Sequence, residues 1–531
     1  MTAPPRDGGG DRGAAVIAAG IFLSRLLGLL RNTAFAYFFG QGSAADAFNA
    51  AFKIPNALRN LLGEGTLSAS FVPVYSRLVA RGDERAAAAL ARAVLGVLLA
   101  GTSLLTLAGV AAAPWLTAVL APGFTGETAA LATRLIRILF PMSALMVVSG
   151  WCLGVQNSHR RFFWSYASAA LWSVAQIALL AAWGARAPDL TRLAVALAWA
   201  TLAGSMLQVG AQLPEVSRLV RPLRPSLQTA AEGVSTVLRN VVPVLIALGV
   251  VQLSSFIDLQ IASYLPTGAT SVLAYANTLA ILPVSLFGVS IAASALPDLS
   301  RASGAGALEA LRERVRSGWQ RLLFYVVPSA VVLFGFGDYC VGILYRAGAF
   351  DAQAQRQVQV VLAASALGLV SFASVKLLAS AHHALQDYRT PLRASMASLV
   401  VSAAGAVVLS WALRGTAYPA AGIALGSALG SYANLGMQWR GLRARLGALY
   451  TPAMWQGTRR IVVAAVSGAI AGTLARVLAG ALVPGAHPRV TGVPVLAVVA
   501  ASYLLVAWWM GSAEAARWVR RPVRRVAGSG A

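Results

Sequence analysis

Long apolar runs, each bounded by short polar stretches, recur along the whole chain. A bilayer core needs about 20 consecutive apolar residues per helix. Fourteen segments satisfy that length, near 14–39, 44–76, 88–120, 129–155, 162–184, 191–212, 236–264, 269–297, 319–345, 355–384, 392–413, 417–438, 458–483 and 490–511. Several contain proline, at Pro55, Pro141, Pro243, Pro283 and Pro328. Proline inside a span implies a kink or a break, tolerated where neighbouring helices or a cavity satisfy the freed carbonyls. Gly63-Glu64-Gly65 is expected to break the second span. The predicted fold class is an all-α polytopic membrane protein.

Composition closes off the alternatives. Of 531 residues, 58% are apolar and 11% charged. Soluble chains carry roughly 25% charge. A surface so poor in charge excludes a soluble enzyme, and disorder would need the opposite balance. Cys152 and Cys340 lie in separate apolar runs and form no disulfide framework. Residues 1–13 read as a retained polar tail, because the first apolar run outlasts a signal-peptide core.

The charge is lopsided, with 43 basic against 18 acidic residues and a net +25. Its placement explains it. Arginines cluster in alternate loops, at 77–85, 160–161, 218–224, 301–316, 389–393 and 440–445, and again in the tail at 517–525. The intervening loops are nearly bare. This positive-inside pattern puts both termini in the cytoplasm, so the excess is mainly a topology signal and needs no nucleic acid.

Two segments repeat. SASFVPVYSR at 68–77 and AASALPDLSR at 292–301 agree at five of ten positions, and LGVQNSHRRF at 153–162 resembles HALQDYRTPL at 383–392 more weakly. Six predicted helices separate equivalent points, so the halves run parallel about an axis along the membrane normal. The expected organisation is a tail (1–13), an N-lobe of helices 1–6 (14–225), a C-lobe of helices 7–12 (226–446), and helices 13–14 with a basic cytoplasmic tail (447–531). Two-lobed membrane proteins of this kind hold their site between the lobes, near the midplane.

Intramembrane charge is expensive and marks function by default. The first span carries Ser24, Arg25, Gly28, Arg31 and Asn32. Ser24, Gly28 and Arg31 share one helical stripe, and Arg25 and Asn32 the next. In the second span Asp46, Asn49, Lys53, Asn56 and Asn60 recur at intervals of three and four, with Arg59 beside them and Glu64 at the break. Two readings stand. The arginines snorkel to an interface while Asp46 pairs with Lys53, or the stripes line a water-filled cavity. A whole stripe on one face favours the cavity, and its cation excess favours an anionic ligand such as phosphate. In the seventh span Ser254 and Asp258 share a face, for which hydrogen bonding between helices is an equal account. The eighth span offers Asn277 and Thr278. There is no phosphate-binding Gly-Lys-Ser/Thr loop, no His-Glu-x-x-His and no Gly-x-Ser-x-Gly. No catalytic or metal-binding residue is assigned, and His382 and His383 are placed at a cytoplasmic helix end.

SRLLGLLRNTAFAYFFG at 24–40, ADAFNAAFKIPNALRNLLGEGTLSASFVPVYSR at 45–77, LYRAGAFDA at 344–352 and ALQDYRTP at 384–391 resemble the MurJ (MviN) lipid II flippase family, within the MOP flippase superfamily. The resemblance covers nearly the whole chain. It implies fourteen helices in a six-plus-six-plus-two arrangement in the bacterial inner membrane. It also implies a transporter, not an enzyme, that moves undecaprenyl-diphosphate-linked peptidoglycan precursor outward by alternating access. The partners implied are that lipid, membrane lipids and other cell-wall synthesis proteins. No cofactor is expected, and coupling to the membrane potential or to a monovalent cation is left open. Cavity roles are implied for Arg25, Arg31, Asp46, Asn56 and Arg59. The chain departs from the family pattern at Asn32 (often Asp), at Asn60 (often Arg) and at Asn277-Thr278, where Asp/Gln-Arg is usual. The competing expectations are another MOP exporter, of polysaccharide lipids or of drugs, and a non-transporting cell-wall scaffold.

Overall fold

The computed structural model describes residues 8–228, 230, 232–292 and 308–520. They are helical, with no strand among the described residues. The chain forms two compact units, Met1–Ser271 and Val272–Ala531. The second copy of the stronger repeat falls almost entirely within 293–307, outside the described residues.

The first unit contains α1 (Gly8–Phe39), α2 (Ser43–Leu62), α3 (Glu64–Ser70), α4 (Val72–Ala80), α5 (Glu84–Ala111), α6 (Ala113–Leu120), α7 (Gly126–Ser158), α8 (Phe163–Trp183), α9 (Leu190–Leu219) and α10 (Val234–Ser263). The predicted second span is therefore three helices. α2 stops where Gly63 closes on the Arg59 carbonyl. A Cβ on Gly63 would lie 2.5 Å from that oxygen, so only glycine fits. α4 begins with proline in its first turn, where a missing N–H costs nothing. Helix α7 is the hub, packed on α2, α5 and α9. Its Trp151 and Cys152 are buried in one cluster with Phe71, Tyr75, Leu90 and Val94.

α7, α8 and α9 are also joined by polar side chains. Gln212 donates to Ser168 (2.6 Å) and to Ser149 (3.1 Å), and Gln208 donates to Ser149 (2.9 Å). Further along, Gln156 donates to Glu215 (2.9 Å) and accepts from Ser165 (3.1 Å). Such interhelical bonds contribute on average about 0.6 kcal/mol each in membranes. Gln208, Gln212 and Glu215 recur at helical spacing, a signal the sequence carried and the site reading did not use.

α11 (Ala269–Pro283) starts at the boundary between the units and continues beyond Pro283 through a π-helical turn, Val284–Val289. The second unit continues with α12 (Leu308–Gly335), α13 (Gly337–Tyr345), α14 (Ala352–Ala384), α15 (Arg389–Ala412), α16 (Ala420–Leu446), α17 (Pro452–Leu482), α18 (Pro488–Trp509) and α19 (Ala513–Arg520). α15 and α16 meet backbone to backbone. A Cβ on Gly422, Gly426 or Gly430 would come within 2.2–2.5 Å of main-chain atoms of Ser410, Ala406 and Ser398. The last two long helices dock on α12 and α13: Tyr503 donates to the Phe324 carbonyl (2.5 Å), and Arg476 pairs with Asp338 beneath Phe336 and Tyr339.

The link between α14 and α15 is held by Asp387. Its carboxylate accepts from the Thr390 N–H (3.1 Å) and lies 3.1 Å from both His382 Nδ1 and Arg445. Burial alone would raise its pKa. The Thr390 donors, Arg445 and His382 outweigh that and hold it at about 2. The folded value lies below the unfolded one of about 3.9, so this stabilisation is complete above that value and is lost as pH falls from 4 to 2. With Arg445 half exposed and screened, it contributes about 1–2 kcal/mol. Asp387→Asn should lower thermal stability at pH 6 and flatten the loss between pH 4 and 2. An unchanged acid limb in a melting series would remove Asp387 from this role.

Among the described residues, ten helices are long and apolar enough to cross a membrane by length and composition. The protein is an all-helical, multi-pass membrane protein. The four predicted spans outside these ten coincide with α1, α2, α10 and α16. On α2 the predicted site residues Asp46, Lys53 and Arg59 interrupt the apolar run.

Candidate functional site

The residues singled out on the first, second and seventh spans all lie in the first unit. α1 positions Ser24, half-buried, and Arg25, exposed, with Arg31 and Asn32 half-buried two turns on. The Asn32 Oδ1 accepts from Arg31 Nε (3.2 Å) and Nη2 (2.9 Å). The Arg31 guanidinium carbon lies 4.5 Å from the ring centre of Trp172 on α8. Trp172 stacks on Phe52 of α2 (5.7 Å, 22°), which stacks on Phe48 (6.4 Å). Phe48 meets Phe35 of α1 at 5.3 Å. An aromatic ladder thus joins α1, α2 and α8, with a cation at its end.

On α2, Asn49, Lys53, Asn56 and Arg59 are half-buried. Asn49 donates back to the Ala45 carbonyl (2.9 Å). Arg59 shares a face with Phe52, seven residues earlier. Its Nε is buried and has no hydrogen-bond partner among the described residues. Glu64 opens α3, and its side chain lies outside the described residues.

Asp46 is employed differently from the sequence reading. It is 3% exposed, and its two oxygens accept from the Gly268 N–H (2.6 Å) and the Ser271 N–H (2.7 Å). It caps the first turn of α11 across 222 residues of sequence. A buried carboxylate with both oxygens so engaged anchors the start of α11. Asp46 does not pair with Lys53. The opposite charge that Lys53 feels is Asp258 on α10, and α2 and α10 pack together. Asp258 thus has an ionic neighbour on another helix, which goes beyond a shared face with Ser254. Elsewhere on α10, Gln260 donates to the Val119 carbonyl (2.7 Å), and the Gly123 N–H donates to Ser263 (3.0 Å).

In the second unit Asn277 is exposed, and the Thr278 hydroxyl donates to the Ala274 carbonyl one turn back (2.9 Å). Neither supplies a cation. His382 is fully buried, with Nε2 3.0 Å from the Gln438 carbonyl and Nδ1 on Asp387.

Trp172 is a contributor that sequence reasoning missed. Trp172 sits in an apolar run without any periodic signal. Asn32 was read as half of a polar stripe, but its role is to hold its own neighbour.

The structure described as a lipid II flippase MurJ in an inward closed conformation matches this chain with a TM-score of 0.74 at 20% identity, covering 93% of this chain and 98% of the other. An inward-facing multidrug-resistance MATE transporter of the MOP superfamily matches with a TM-score of 0.67 at 17% identity, covering 82% and 98%. The architecture, with polar and charged residues set into its first, second and tenth helices, has the fold of these two structures. A family model described as lipid II flippase MurJ matches residues 35–491. The lipid II flippase MurJ of Burkholderia cenocepacia is 32% identical over 465 residues, 86% of this chain and 88% of that protein. The chain belongs to the MurJ family, as the motifs at 24–77 led one to expect.

Proposed function

We propose that this protein is a lipid II flippase, a transporter that carries the undecaprenyl-diphosphate-linked peptidoglycan precursor from the inner to the outer leaflet of the bacterial cytoplasmic membrane by alternating access. Fourteen membrane helices, two parallel lobes of six and a C-terminal pair, with both termini cytoplasmic, are part of this reading. It is supported by helices within all fourteen predicted spans and by the arginine-rich alternate loops. Arg25, Arg31 and Arg59 are read as the groups that meet the diphosphate, with Ser24, Asn49 and Asn56 lining their approach. Energy is read as coming from the membrane potential or a monovalent cation.

Arg59 is the observation that carries the proposal. Its buried Nε has no hydrogen-bond partner among the described residues, and Asp46, the acid on the same helix, is already engaged by Gly268 and Ser271. A guanidinium in that position calls for an anion, and its planar fork matches phosphate oxygens two at a time. The test is replacement of the flippase in a bacterium depleted of its own, together with translocation of lipid II in vesicles holding only this protein. Growth and translocation are expected. A well-folded protein that does neither would overturn the reading. Collapsing the potential across the same vesicles distinguishes the two energy sources.

A further inference from the structure

Arg31 is held from two directions. Asn32 Oδ1 takes its Nε–Nη2 edge, and Trp172 lies against its face. Trp172 is itself fixed. It is 9% exposed, packs with Met142, Met146 and Leu202, and stacks on Phe52. Its indole N–H is buried with no acceptor among the described residues. Buried indoles usually find a partner for that N–H, and a leucine would fill the space without leaving a donor unsatisfied. What tryptophan adds here is its π face, which attracts a cation more strongly than that of tyrosine or phenylalanine.

We propose that Trp172 is a positioning residue for transport: its face fixes the plane and place of the Arg31 guanidinium at the point where that group receives the anionic headgroup. This rests on the flippase reading above. Arginine has a long side chain whose freedom must be surrendered on binding. Edge restraint by Asn32 and face restraint by Trp172 settle its geometry beforehand, which strengthens binding without any new contact to the ligand. The Phe52–Phe48–Phe35 stack ties the platform to α1 and α2, so the orientation is set by the helix packing of the first unit.

Fluorination tests this directly, because it drains the ring's negative face while hardly changing its size. Tryptophans bearing one to four ring fluorines would be placed at 172 by site-specific incorporation into the full chain. Binding of undecaprenyl diphosphate to the purified protein would then be measured by native mass spectrometry. Affinity should fall stepwise along the series, by on the order of threefold to thirtyfold in all. Trp172→Phe should keep part of it. In an Arg31→Gln background the series should be flat. A flat series with Arg31 present, or the same slope without it, would assign Trp172 a purely structural role and overturn the proposal. The fluorine NMR resonance of the monofluorinated protein gives a ligand-free reading. Arg31→Gln should move it, and an unmoved resonance also overturns the proposal. Absence of any diphosphate-lipid binding by the unsubstituted protein would count against the flippase reading, while the fluorine shift would still decide whether Arg31 sits on the ring.

Discussion

Replacing Arg59 by alanine is expected to lower lipid II transport at least tenfold while leaving the folded protein in the membrane at normal abundance. The two halves of that expectation have one origin. Arg59 is half-buried, and its Nε is without a hydrogen-bond partner among the described residues. In the ligand-free protein that atom is desolvated without return, so its removal does not weaken the fold and can strengthen it. With a diphosphate bound, the same group makes charge-assisted hydrogen bonds worth about 1.5–3 kcal/mol. Losing them reduces binding roughly 10- to 150-fold. Arg59→Lys should not restore transport, because a point charge cannot reproduce the two-toothed fork. Thermal melting and vesicle translocation on the same preparations separate the effects. A destabilised variant with normal transport per folded molecule would place Arg59 in the architecture instead.

The largest effect on folding is expected at Gly426. A Cβ there would stand 2.3 Å from the Ala406 amide nitrogen and 2.7 Å from its Cα. Both are main-chain atoms of the facing helix, so no side chain can swing away. Leucine must force α15 and α16 apart, and the clearance at Gly422 and Gly430 would be lost with it. Overpacking of well-packed sites costs about 1–3 kcal/mol and occasionally more. A rigid backbone obstacle belongs at or above the top of that range. Gly426→Leu should leave little folded protein in detergent extracts. Gly436 lies on the same helix with nothing within 4 Å of its would-be Cβ. Gly436→Leu should be tolerated, which controls for the loss of glycine as such. Equal damage at both positions would rule out the close-contact explanation.

The helices were legible because apolar length is a local property. Each predicted span overlaps a helix, and the break at Gly63-Glu64-Gly65 was visible from two glycines around a charge. The polar stripes of α1 and α2 were legible for the same reason, since periodicity needs only neighbouring residues. What the stripes touch was not legible. Asp46 looked like a cavity residue because its partners, Gly268 and Ser271, are main-chain amides more than 220 positions away and leave no mark on composition. That Asp258 on α10 is an acid near Lys53 was hidden behind Asp46, which helical spacing made the obvious counterion. Trp172 illustrates the remaining gap. An aromatic residue in an apolar helix carries no sign of which of its surfaces will matter.

The seat of Asp46 also bears on where anionic lipid can be held. The first turn of a helix concentrates about half a positive charge, and its open amides are a ready phosphate site. Here a carboxylate occupies the amides of Gly268 and Ser271 and cancels that partial charge. The start of α11 therefore has no electrostatic pull on a passing headgroup. Counter-charge for the lipid is left to side chains. A helix end is fixed to the main chain and can only be approached, whereas an exposed side chain such as Arg25 on α1 can move with its guest. A carrier that must release its cargo on the opposite side is better served by such a tether than by a stationary dipole.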